Sequence, residues 1–258
     1  LDHREFLGPD LASIAAEKAG VLHSGCVAIS GPQHPEVRAV LEAQAAACGA
    51  QLRWVDPLPQ KPAGELLIEG HWSPCGLAGA VQASNGAVAL GVCQALAEQG
   101  WPIDTAAIRA GFAASRWPGR LQQLVWRGQP LLLDGAHNPP AAQALRAELD
   151  AHPARHGLAP GPRHWVIGML ANKQGPEVLT ALLAPGDRAW IVPVPGHASW
   201  DLEALAQACP ALAPQLHDAA CVEDALLLAA AASAGPVVVA GSLYLLGHLL
   251  ALMQDSEC

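Results

Sequence analysis

An open α/β fold in two parts is what this sequence predicts, and three observations carry the prediction. Short apolar runs alternate with stretches of helical periodicity along most of the chain, the pattern of a mostly parallel sheet with helices on both faces. An early β-α-β order at 26–55 requires a parallel pair joined by a crossover. Trp117-Pro118-Gly119 then interrupts two regular patterns, so a domain boundary is expected at 115–120. The two parts are residues 1–115 and 116–258.

In the first part, Gly8-Pro9-Asp10 opens a helix running to about Ala19, with Gly20 as a left-handed stop. Cys26 to Ser30 reads as a strand. A helix follows over 35–48, with Val37, Val40, Leu41 and Ala45 on one side, and Gln51 to Val55 is the next strand. After a proline-rich stretch come a short strand at Leu66 to Ile68, a long alanine-rich helix over about Val81 to Glu98, and another at about Asp104 to Ala114. In the second part, Gln122 to Trp126 and Pro130 to Asp134 form a hairpin around Arg127-Gly128-Gln129. Strands at 164–168, 188–193 and 236–240 then alternate with helices near 139–151, 175–184, 201–208, 222–233 and 243–253.

Composition removes several classes of function. Of 258 residues, 52% are hydrophobic and 14% charged, enough to build real cores. The formal charge is -9 and the 14 Lys plus Arg are scattered singly, so no basic stripe exists to neutralise a nucleic-acid backbone. Residues 225–247 carry no charge, yet Gly235-Pro236 and Gly241-Ser242 divide the run, which reads as helix, buried strand and helix rather than a membrane span. Seven cysteines, none in a CxxC spacing, read as reduced thiols of a cytoplasmic protein. His152 and His156 are spaced i, i+4, but Pro153 disfavours the helix that would aim both at one metal, leaving them as loop histidines.

A few residues stand out for chemistry, each with a plain structural reading beside it. Lys18 follows Leu11 and Ile14 at i+7 and continues the stripe that should face the interior. It is either a last-turn cation with a snorkelling stem or an amine held in a desolvated site. His3 lies fifteen residues before it. The run LLLDGAHNPP at 131–140 ends a buried strand in Asp134 and starts a helix at Asn138-Pro139, a cap followed by proline at the first helical position. Capping accounts for Asn138 and leaves Asp134 and His137 as candidates for ligand contact, since the carboxyl ends of parallel strands border the ligand crevice. Arg120 sits either on a solvated linker or where its planar fork reaches a phosphate. Ser242 either caps the last helix or meets an anion. No G-x-x-x-x-G-K-[ST] loop, G-x-G-x-x-G turn or G-x-S-x-G elbow is present.

In order along the chain, Leu1-Asp2-His3, Leu7-Gly8-Pro9-Asp10, Glu17-Lys18-Ala19-Gly20, Gln82 with Asn85, Pro118-Gly119-Arg120, Asp134-Gly135-Ala136-His137-Asn138-Pro139, Gly168-Met169-Leu170 and Gly241-Ser242-Leu243-Tyr244 resemble the folylpolyglutamate synthase and dihydrofolate synthase family of the Mur ligase superfamily. The resemblance implies a P-loop ATPase domain, of which residues 1–115 are the C-terminal portion, followed by a Rossmann-like domain at 116–258, with ATP between them. It implies that a pterin-linked carboxylate, on dihydropteroate or a reduced folate, becomes an acyl phosphate that the amine of L-glutamate attacks. His3 matches a magnesium ligand, and Lys18 a lysine that becomes carbamylated and offers oxygen to Mg²⁺. Asn85 and Arg120 match nucleotide contacts, Asp134 and His137 face the ATP and glutamate end, and Ser242 belongs to the closed site. Where the family shows Asp-Lys-Asp, this chain has Asn172-Lys173-Gln174. The expected protein is a cytoplasmic monomer acting on small molecules, with neither nucleic acid nor membrane as partner. Because the P-loop match would precede Leu1, the chain is expected to bind ATP weakly and not to ligate alone. The competing readings are a Mur-type peptidoglycan amino-acid ligase and a non-catalytic α/β binding module.

Overall fold

The computed structural model describes residues 10–159, 161–232 and 236–255. The chain divides into two compact units, Leu1–Arg116 and Trp117–Cys258.

In the first unit, α1 (Leu11–Ala19) begins at Asp10, whose Oδ1 accepts the Ser13 N–H at 2.7 Å. Gly20 was expected to be left-handed but has φ -59°. The helix instead winds down through i→i+3 bonds from Gly20, Val21 and Leu22 to Glu17, Lys18 and Ala19, so no left-handed residue is needed. The parallel pair β1 (Val27–Ser30) and β2 (Gln51–Trp54) flanks α2 (Pro35–Cys48), as the β-α-β reading requires. Ala19, Leu22 and Ala45 pack as one cluster with Cys26, Ala28 and Leu52. The strand β3 (Leu66–Ile68) pairs with an unforeseen partner, β4 (His71–Ser73). Against β3 lie α3 (Gln82–Glu98) and α4 (Thr105–Ala114), joined by Leu66, Ile68, Leu90 and Ile108. A side chain at Gly91 would meet Ile29 Cγ2 at 2.8 Å, so α3 reaches β1 only because glycine stands there.

The second unit is a three-layer sandwich. Its sheet contains β5 (Gln122–Trp126), β6 (Gln129–Leu133), β7 (His164–Ile167), β8 (Arg188–Ile191), β9 (Leu216–Asp218) and β10 (Val237–Ala240), in the order β5-β6-β10-β7-β8-β9. All pairings are parallel except the β5-β6 hairpin. Period-two alternation divides the strands between two cores. On one face Leu132, Trp165, Ile167 and Val238 pack against α5 (Pro139–Ala151), α6 (Gly175–Leu182) and α7 (Leu202–Ala208). On the other, Leu131, Leu133, Val166 and Val239 pack against α8 (Val222–Ala232) and α9 (Leu243–Asp255). The uncharged stretch therefore does divide into helix, strand and helix. Among the described residues no helix is long and apolar enough to cross a membrane.

The two spaced histidines were expected in a loop, which holds for His152 and is corrected for His156. His152 ends α5, while His156 lies in a 3₁₀ turn (Pro153–His156), buried, with Nε2 3.1 Å from Glu148 Oε1. The proline that breaks the α-helix tightens the next turn instead of releasing it. Six cysteines, Cys26, Cys48, Cys75, Cys93, Cys209 and Cys221, carry free thiols.

Candidate functional site

Parallel strands all end on one edge of the second unit, and the helices that follow them start there. The richest of these junctions is the turn after β6. Asp134 is half-buried, and its carboxylate accepts N–H groups from both sides: Leu121 to Oδ2 at 3.0 Å and Ala136 to Oδ1 at 3.0 Å. These bonds tie the start of the β5 segment to the turn. His137 Nδ1 lies 2.8 Å from the Gly135 carbonyl, which can only accept, so the proton belongs on Nδ1 and Nε2 is the basic nitrogen of the neutral ring. Asn138 Oδ1 then accepts the Ala141 N–H at 3.0 Å and Pro139 opens α5, as the sequence indicated.

Burial pushes the Asp134 carboxyl above an aspartate's ordinary value, against the pull of the Leu121 N–H, Arg120, the Ala136 N–H and His137. A carboxyl raised by folding contributes stability below its unfolded pKa and loses it as pH rises through the folded pKa. Relative to wild type, Asp134→Asn should therefore gain stability as pH rises from about 4 through the raised pKa of the folded carboxyl, read by urea unfolding across a pH series. A wild-type-to-variant difference that stays constant with pH would contradict the assignment.

Two further elements meet this turn. A side chain added at Gly135 would lie 3.2 Å from Arg120 Nη1 and 2.4 Å from Leu243 Cδ2, so Gly135 is the close-packed point between the Arg120 loop and the start of α9. Ser242 is buried, and its Oγ accepts the Tyr244 N–H at 3.1 Å, which fulfils the capping reading. Gly241 before it has φ 103°, and an added Cβ would strike the Gly168 carbonyl at 2.7 Å, so β10 can reach the end of β7 only with glycine there. Arg120, Asp134, His137 and Ser242 are thus brought to one edge of one sheet.

The remaining expected residues fall in the first unit. Asn85 on α3 donates Nδ2 to Gln82 Oε1 at 3.2 Å and lines a cavity of about 380 Å³ with Gly86, Ile108, Phe112 and the thiols of Cys75 and Cys93. Its walls are mostly apolar and its polar groups few. Lys18 is an exposed cation in the last turn of α1, one of its two expected readings, and not an amine in a desolvated site; Ala15 and Ala19 face inward in place of the expected stripe. Small alanines let α1 approach α2 closely, which turns the Leu11, Ile14 and Lys18 stripe to the flank. His3 lies outside the described residues.

A residue that the sequence reading did not single out also belongs to the edge. His197, in the connection from β8 to α7, stacks on Tyr244 with ring centroids 4.1 Å apart and planes at 42°. The adjacent motif, Gly241 to Tyr244, was the only signal that could have pointed to it.

Known proteins resemble this chain in sequence and in fold. Residues 119–252, more than half of the chain, match the family model described as the C-terminal domain of dihydrofolate synthetase. Folylpolyglutamate synthase of Lacticaseibacillus casei is 32% identical over 264 residues, covering 95% of this chain and 58% of that protein. Dihydrofolate synthase/folylpolyglutamate synthase of Mycobacterium tuberculosis is 34% identical over 229 residues, covering 81% and 46%. The crystal structure of M. tuberculosis folylpolyglutamate synthase complexed with ADP and AMPPCP superposes with a TM-score of 0.79 at 29% identity, covering 98% of this chain and 62% of that one. The bifunctional synthase of Yersinia pestis complexed with AMPPNP and Mn ion gives 0.76 at 28%, covering 96% and 58%. This chain spans about half to three fifths of the length of these relatives. With a match that runs from the Arg120 turn through Asp134 and His137 to the Ser242 helix start, the chain belongs to the dihydrofolate synthetase and folylpolyglutamate synthase family.

Proposed function

We propose that this chain is part of an ATP-dependent ligase that adds L-glutamate to dihydropteroate, to a reduced folate (poly)glutamate, or to both, through an acyl phosphate. The observation that carries the proposal is the gathering of Arg120, Asp134, His137 and Ser242 on the carboxyl edge of the second unit's sheet, within a chain of this family. In this reading residues 1–115 are the C-terminal portion of a central ATPase domain and 116–258 the glutamate-ligase domain. The relatives whose structures hold ADP, AMPPCP or AMPPNP with Mn support ATP and a divalent metal as its companions.

Each residue then has a task. Asn85 and its apolar cavity suit the nucleotide base, and Arg120 offers a planar cation to phosphate oxygens. Asp134 holds the turn, His137 meets the reactants with its Nε2, and the Ser242 hydroxyl lies at the start of α9. A nucleophilic amine gains most from being held close to the acyl carbon in a site that excludes water.

Magnesium is a separate matter. The described residues do not by themselves make a site for it: they contain no group of three His, Cys, Asp or Glu able to hold a metal, and Lys18 is exposed. His3 and a carbamylated Lys18 are proposed as two of its ligands on the family resemblance alone, the oxygen donors that hard Mg²⁺ also needs coming from ATP phosphates and water. The free thiols of the described cysteines fit a reducing cytoplasm, and the enzyme is proposed to act as a monomer on small molecules.

The test is ADP release by the intact ligase that contains this chain. Release should require L-glutamate together with dihydropteroate or a reduced folate, and the folate product should gain a glutamyl unit by mass spectrometry. Turnover with a nucleotide-sugar peptide acceptor instead would establish the peptidoglycan ligase reading, and no turnover with any acceptor would leave a binding module.

A further inference from the structure

We propose that His197 is a specificity residue that hydrogen-bonds the side-chain carboxylate of the incoming L-glutamate; this rests on the ligase reading above. Three observations support it, all within the second unit.

The first is placement. Leu243 packs against Gly135 of the Asp134 turn, Tyr244 follows it, and His197 stacks on Tyr244. Arg120, Gly135, Leu243, Tyr244 and His197 thus form one unbroken series of contacts along the carboxyl edge, with His197 at its outer end.

The second is rigidity. The connection that carries His197 is long but pinned at several points. The His197 N–H bonds to the Val194 carbonyl at 3.1 Å and the Val194 N–H to Ser199 Oγ at 3.2 Å. The Ala171 N–H reaches the Ala198 carbonyl at 2.9 Å and the Trp200 N–H the Met169 carbonyl at 2.9 Å. The loop is thereby fastened to the segment after β7, and the imidazole is presented from a fixed frame, which limits the entropy lost when a ligand is gripped.

The third is chemistry. His197 and Tyr244 are both exposed, and among the described residues neither the ring nitrogens of His197 nor the Tyr244 hydroxyl has a protein hydrogen-bond partner. Ser242 Oγ already accepts from the Tyr244 N–H, so its own O–H is left to donate. The outer end of the edge therefore offers imidazole N–H and phenol O–H groups as donors beside the N-terminus of the 13-residue α9, where the Ser242 hydroxyl is buried. Donors in this setting favour an anionic acceptor. Glutamate has two carboxylates. The amine that must reach the acyl carbon sits beside the α-carboxylate, so the group that extends outward to His197 is the side-chain carboxylate.

The experiment uses the intact ligase and compares L-glutamate with L-glutamine, whose side chain has no carboxylate. His197→Ala and His197→Phe, the second keeping a ring against Tyr244 without an N–H, should each raise KM for L-glutamate roughly tenfold or more, the worth of one hydrogen bond to a charged group. KM for ATP and for the folate should stay within about twofold, and the preference for glutamate over glutamine should fall by the same roughly tenfold factor. His197→Gln, which keeps an N–H donor, should recover part of the loss. If KM for L-glutamate is unchanged, or if all three KM values rise together in both the Phe and Gln variants, the assignment of His197 is overturned while the ligase reading stands. Absence of glutamate-dependent ADP release in the wild-type enzyme would instead overturn the reading on which it rests.

Discussion

Asp187→Ala is expected to destabilise the second unit by about 3 kcal/mol, the cost of taking one shared acceptor from several buried donors. Asp187 stands at the start of β8 and is 2% exposed. Its Oδ2 accepts from Arg146 Nη1 at 2.6 Å, Trp165 Nε1 at 3.2 Å and the Ala184 N–H at 3.1 Å, and its Oδ1 from the Arg163 N–H at 2.7 Å. Removal of the carboxylate leaves the indole and two backbone N–H groups without an acceptor, each costing about 1–3 kcal/mol where water cannot reach it. These costs overlap because the donors share one site. Arg146 partly compensates, since it also reaches Asp150 and the Leu182 carbonyl. For a unit of this size the loss corresponds to a fall in Tm of roughly 10 °C, measured by calorimetry with urea titration beside it. A loss below about 1 kcal/mol would show that the network is not needed for stability.

His137→Ala is expected to lower kcat/KM of the intact ligase by about 100-fold or more, the scale on which one positioned polar group in a shielded site acts. The residue sits between the Asp134 turn and the capped start of α5, where its Nδ1–H bond to Gly135 orients the ring. Its substitution removes Nε2 but leaves the Asp134 and Asn138 bonds that shape the turn. Activity should fall while Tm changes little. Steady-state ADP release and a thermal melt of the same preparation separate the two effects, and near-normal turnover would remove His137 from the site.

Much of this architecture is legible in the sequence because parallel strands buried on both faces are continuous apolar runs, as in Leu131-Leu132-Leu133 and Val237-Val238-Val239. Helix starts were equally plain where Asp10, Asp104, Asn138 and Asp201 accept the N–H three residues on. Two short edge strands, β4 and β9, were not. His71-Trp72-Ser73 buries only Ser73, and Leu216-His217-Asp218 only Leu216, so neither shows an alternation to read.

Lys18 was turned the wrong way because Leu11 and Ile14 outweigh Ala15 and Ala19 in hydrophobicity, whereas close packing of α1 on α2 depends on small size. The buried polar network was invisible for another reason. Arg146 and Asp187 are 41 residues apart, and Arg163 and Asp187 are 24 apart, so only the folded sheet brings them together. Of the candidate site, Asp134, His137 and Ser242 could be found because they end strands, while His197 lies within a connection and carries no motif of its own.

In the proposed ligase, the carboxyl edge of the six-stranded sheet is the surface that meets the reactants. Backbone chemical shifts of the isotopically labelled chain, followed during titration with L-glutamate and with ATP, test this most directly. The predicted result is that perturbations concentrate at 134–138, 168–173, 197 and 241–244, with the ion-pair network at Arg146, Asp150, Arg163 and Asp187 unmoved. Perturbations centred on that network, with the Asp134 turn and the start of α9 silent, would contradict it.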